Sequence, residues 1–103
     1  MTTLIYKGVV GLHIREVTSY DLTGYIPSKT KIRMKKPDET VIELTPSNVD
    51  AALGYIEYVS DATTFTTAGE YRFQPHVEFT GGDILNGEMD TVQIYEPLVV
   101  TTP

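Results

Sequence analysis

The sequence predicts an all-β fold, an antiparallel sandwich of about seven strands. Three observations lead there. Apolar residues recur at period two rather than 3.6, among frequent Thr, Val, Ile and Tyr. The eight glycines and six prolines break the chain into short segments, with turn signals about every eight to twelve residues. No helical pattern competes, since Asn48-Val49-Asp50-Ala51-Ala52-Leu53 could close one helical turn at most. That spacing is expected of an immunoglobulin-like sandwich, and 103 residues suit one such domain. The predicted boundaries are an N-terminal arm or edge strand over 1–8, the sandwich over 9–96 and an extended tail over 97–103.

The strands follow in order. Val10, Leu12 and Ile14 share one face of the first full strand. Between Ser28 and Lys36, Thr30, Ile32 and Met34 alternate with Lys29, Lys31, Arg33 and Lys35. Pro37-Asp38-Glu39-Thr40 reads as a tight turn, because proline presets φ there. Val41 to Leu44 returns from it, and Pro46-Ser47-Asn48 ends that strand. Gly54 to Val59 is the next, with Ile56 and Tyr58 inward. Asp61 to Ala68 is polar and Thr-rich and reads as a linking loop.

Tyr71 to Thr80 is the longest run, with Tyr71, Phe73, Val77 and Phe79 on one side. Pro75 falls on that inward set and lacks a donor, so it predicts a bulge or an edge-facing position. Gly81-Gly82-Asp83 turns the chain. Ile84 to Gly87 and Met89 to Tyr95 close the sheet, with a bulge or kink at Asn86-Gly87. Gly69 and Tyr71 mark a corner. In immunoglobulin-type sandwiches a tyrosine here bonds its hydroxyl to backbone a few residues upstream; the other reading is an ordinary half-buried tyrosine.

Composition removes several chemistries. With no cysteine there is no disulfide, thiolate zinc site or cysteine nucleophile. The formal net charge of −6 weakens attraction to nucleic acids and anionic membranes. No run approaches the ~18 apolar residues of a membrane-spanning helix, and residues 1–8 lack a signal-peptide layout. His13 and His76 alternate outward and read as two solvated histidines rather than metal ligands. No serine sits in a Gly-x-Ser-x-Gly elbow, and Gly81-Gly82 opens no helix that could cradle phosphate. Asp38-Glu39 and Asp61 read as turn caps more than calcium ligands. No cofactor and no enzymatic activity are expected.

Two features suggest protein contacts. Lys29, Lys31, Arg33 and Lys35, with Lys36, gather over half of the eight basic residues. They form either a solvated face that discourages edge pairing or a docking patch for an acidic neighbour, including another copy of the chain. Leu4, Ile5 and Tyr6 belong to a charge-poor arm that could fray or add a strand to a neighbour's sheet.

Three ordered segments resemble the immunoglobulin-like modules of tailed-phage virion proteins, including the N-terminal domain of baseplate upper proteins. They are Ile5-Tyr6-Lys7-Gly8 with Gly11-Leu12-His13-Ile14-Arg15; Asp21-Leu22-Thr23-Gly24 with Ile32 to Asp38; and Thr67 to Arg72 with Thr80-Gly81-Gly82. The resemblance implies a non-catalytic structural protein of a virion, made in the host cytoplasm without a signal peptide. Its partners would be other virion proteins and copies of itself. Baseplate upper proteins continue past this domain, whereas this sequence stops at Pro103, so a small tail or baseplate accessory protein is the expectation. Capsid decoration is the alternative, or a carbohydrate-binding sandwich for host glycans, for which Tyr20, Tyr25 and Gln74 are scattered.

Overall fold

A computed structural model of the chain describes residues 4–98. Nine strands form: β1 (Ile5–Tyr6), β2 (His13–Val17), β3 (Lys31–Lys35), β4 (Val41–Leu44), β5 (Asn48–Asp50), β6 (Tyr55–Val59), β7 (Gly69–Glu78), β8 (Ile84–Asn86) and β9 (Asp90–Tyr95). One sheet runs β1-β9-β7-β3-β4, with β8 also on β7; the other runs β2-β6-β5. This is an immunoglobulin-like sandwich: β9, β7, β3 and β4 stand where strands G, F, C and C′ do, and β2, β6 and β5 where B, E and D do.

The core follows from the alternation. Ile32 and Met34 of β3, Tyr71, Phe73 and Val77 of β7, and Ile94 of β9 face Ile14 of β2 and Ile56 of β6, all buried. Thr30 is buried too, its hydroxyl donating to the Ile26 carbonyl at 2.9 Å. The corner at Tyr71 has the expected geometry. Its hydroxyl donates to the Thr67 carbonyl at 2.7 Å and accepts the Thr67 N–H at 3.3 Å. Gly69 has φ +138°, and a Cβ there would lie 2.7 Å from Cγ of Pro37.

Pro75 is explained by a slip in register. β7 pairs with β9 up to Phe73↔Asp90 and with β8 from His76↔Asn86. Residues 87–89 therefore stand opposite only Gln74 and Pro75, a bulge at the break where no ladder bond is asked of the proline. The Gly87 N–H closes it on the Pro75 carbonyl at 3.1 Å.

Several local expectations are corrected. Asn48–Asp50 is a strand, β5, paired to β6, and the single turn that the segment closes follows it, with the Gly54 N–H on the Asp50 carbonyl at 2.8 Å. Val10 is exposed and precedes β2, whose inward residues are Ile14 and Glu16. Phe65, in the predicted linking loop, is fully buried, with its ring edge-on to Tyr71 at 4.9 Å and Phe73 at 6.1 Å. The loop's one acid caps it: Asp61 accepts from the N–H and hydroxyl of Thr63 at 2.8 and 2.6 Å, as Asp21 in an earlier turn does from Thr23. These bonds hold both carboxyls below their usual range.

Candidate protein-binding edge

The predicted arm is used within the chain. Ile5 and Tyr6 pair in parallel with Ile94 and Tyr95 of β9, the one parallel pairing among the described strands. The Lys7 N–H extends that pairing to the Tyr95 carbonyl, and the Gly8 N–H reaches the Phe65 carbonyl. Ile5 and Tyr6 thus extend their own sheet instead of reaching for a neighbour's, while Leu4 precedes the pairing and is exposed. Of the predicted tail, 99–103 lie outside the described residues.

The basic stripe is also altered. Lys29 lies in a 3-10 turn, Pro27–Lys29, because Pro27 starts that turn and the strand begins only at Lys31. Lys31, Arg33 and Lys35 do share the outer face of β3, but acids interleave them. Arg33 pairs with Glu43 at 3.4 Å and Lys35 with Glu39 at 2.6 Å, while Lys31 donates to the Thr45 hydroxyl at 3.0 Å. The stripe is a ladder of alternating sign rather than a bare cationic patch.

The histidines part company. His13 is exposed on the outer face of the smaller sheet. There its Nδ1 lies 3.2 Å from Glu57, which also accepts from Arg15 Nε at 3.0 Å. The His13 bond, then Arg15, keeps the Glu57 carboxyl below its usual range. The Arg15 guanidinium lies 4.1 Å from the Tyr55 ring centroid. His76 corrects the solvated reading, for it is 7% exposed. It faces outward, but β8 brings Asn86 to 2.6 Å from Nδ1, and Glu78 lies 3.0 Å from Nε2. No serine or threonine hydroxyl bonds either imidazole among the described residues. Nor could any group of three or more His, Asp or Glu side chains there hold a metal ion.

Sequence reasoning missed the edge of β2. The Thr18 N–H donates to the Gly54 carbonyl and the Ser60 N–H to the Leu12 carbonyl, so even-numbered residues bond β6. Antiparallel pairing alternates, which turns the N–H and C=O of His13, Arg15 and Val17 outward. No described strand pairs with them. Beside this edge a groove of about 240 Å³ opens between the sheets, lined by Ile5, Leu12, Ile14, Phe73 and Val92, with His13 and Arg15 of β2 at its rim. Glu16 and Asp90 sit in it. Glu16 is 2% exposed, and burial first, then Asp90, pushes its carboxyl up to about 9. A second cleft, of about 390 Å³, lies at the end of β2 between Val17–Tyr20 and Leu85–Glu88. An acid on the inward period of a strand was the one available signal for this site.

No family model matches the sequence, and no curated protein matches it. A solved structure does. CopC from Methylosinus trichosporium OB3b superposes with a TM-score of 0.55 at 16% identity, over 94% of this chain and 91% of that one. At that identity the likeness establishes the sandwich fold alone. It also corrects the resemblance to phage virion modules, because the structure this chain follows is CopC and not a virion protein. The baseplate, tail and capsid roles and the virion location fall with that resemblance. The reason is physical: the segments that suggested it are fold devices. Thr67 to Tyr71 is the corner, Asp21-Leu22-Thr23 a capped turn, and Pro37-Asp38 the β3–β4 turn, where Asp38 accepts the Thr40 N–H. The glycan alternative also lacks its platform, since Tyr20 and Tyr25 line different clefts and Gln74 donates to the Gly87 carbonyl.

Proposed function

We propose that this chain is a non-catalytic binding module that takes an extended polypeptide segment along the free edge of β2. One observation carries the reading: among the described residues no strand pairs with the outward backbone groups of His13, Arg15 and Val17, which stand beside a largely apolar groove. An added strand there would gain main-chain hydrogen bonds, and alternate side chains would enter the groove. β2 has five residues, against two, four, three and three for the other described edge strands β1, β4, β5 and β8. Unshielded edges of this kind are usually blocked or used. The likeness to CopC contributes the scaffold and no ligand.

Panning a displayed library of random peptides against the protein tests the reading. Binders should slow amide exchange at His13, Arg15 and Val17 and should be lost in Val17→Pro. That substitution removes an outward N–H and leaves the bonds to β6 intact. Binders that protect the outer sheet faces instead, or that survive Val17→Pro, would overturn it.

A further inference from the structure

We infer that the segment held by β2 carries a lysine or arginine whose head group reaches Glu16 and Asp90. The inference rests on the β2 reading and adds the chemistry of the partner. Between Ile5, Leu12, Ile14, Phe73 and Val92 the groove holds these two carboxyls, one inward on β2 and one inward on β9 beside Phe73, and His13 and Arg15 of β2 line its rim. Among the described residues no salt bridge joins a cation to either carboxyl. The two basic groups that flank Glu16 in sequence, His13 and Arg15, project to the opposite face of β2 and are held by Glu57. Lys7, beyond β1, pairs with Glu96 at 3.1 Å.

Two neighbouring acids, one of them buried, do not readily both ionise without a counter-charge. An incoming ammonium or guanidinium would supply it. Its aliphatic stem would lie along Ile5, Ile14 and Val92, the amphipathic disposition that lysine and arginine adopt over apolar surface. Charge also argues against a second copy as the occupant. Antiparallel pairing of β2 with itself would bring another Glu16 to the same seam and add acid to acid.

Short acetylated, amidated peptides of alternating valine and threonine, with one valine replaced in turn by lysine, alanine or glutamate, provide the probe. Binding is read from the amide shifts of β2. The lysine peptides should bind about tenfold more tightly than the alanine ones at the best position, and the glutamate peptides least. The preference should vanish in Glu16→Gln and in Asp90→Asn, with thermal melting as the check on folding. Equal affinity for lysine and alanine peptides, with binding still abolished by Val17→Pro, would overturn the cation and leave the edge reading standing. Binding of no peptide, or binding unaffected by Val17→Pro, would overturn both. A dimer formed through β2 by the protein alone would replace the peptide partner with a second copy and overturn the inference.

Discussion

Glu16 on β2 and Asp90 on β9 face one another across the seam between the two sheets, the first almost wholly buried and the second exposed. The relationship ties a sheet edge to a proton. Glu16 carries its proton in the fold up to about pH 9, against an ordinary value of 4.5.

The first prediction is a pH dependence of stability. A folded-state pKa raised above the unfolded value gives stability that is fully present below about pH 4.5 and lost as pH rises towards 9. Urea unfolding should therefore give a lower free energy at about pH 9 than at about pH 5, by several kcal/mol. Glu16→Gln, which stays neutral, should flatten this difference and raise stability at the alkaline end. A wild-type profile already flat over this window would contradict the assignment.

Tyr71→Phe removes one hydroxyl that both donates to and accepts from Thr67. The expected loss is about 1 kcal/mol, with little change in the urea m-value, because packing against Phe65 persists.

Phe65→Ala should cost about 3–5 kcal/mol, although position 65 lies outside every strand. Its ring is the edge-on partner of both Tyr71 and Phe73. Phe65→Leu should cost less, since it keeps most of the volume. Chemical denaturation of the two variants side by side checks the ranking.

Gly87→Ala places a Cβ 2.5 Å from Cγ of Pro75, so the bulge or the proline must shift. A loss of about 1–3 kcal/mol is expected, of the size usual for overpacking. Pro75→Ala in the same chain should recover part of it, which a thermal melt of the double variant would reveal.

Arg33→Ala and Lys35→Ala, by contrast, break exposed pairs with Glu43 and Glu39 and should each move stability by under about 0.5 kcal/mol. A larger loss would mean that the ladder on β3 holds the sheet together.

How much of this was legible in the sequence differs by residue. The inward rows Ile32, Met34, Tyr71, Phe73 and Val77 were visible because alternation is local. Gly69, Tyr71 and the Asn86-Gly87 break were visible because a corner and a bulge need particular residues at particular spacings. Glu16 was passed over because a carboxylate on an inward period looks like a break in pattern, and its companion Asp90 is 74 residues further along. His76 was read as solvated because alternation assigns faces but not what covers them, and β8 covers this one. β5 hid in a segment whose local signals are weak, and its pairing to β6 is a tertiary matter. The unpaired flank of β2 could not be read at all, since strand order is set by contacts far apart in the chain.

The slip between β8 and β9 bears on how this chain can vary in length. Leu85 faces inward on one side of residues 87–89, and Asp90, Val92 and Ile94 face inward on the other. Odd numbers give way to even ones only because three residues oppose two. Deleting one of them would rotate β9 by half a turn, sending Thr91, Gln93 and Tyr95 into the interior and taking Asp90 away from Glu16. The 61–67 loop has no such parity to keep beyond its caps and the seat of Phe65. Insertions and deletions among homologues should therefore be scarce at 87–89, a plain-looking stretch whose residue count, more than its residue types, decides which face β9 turns inward.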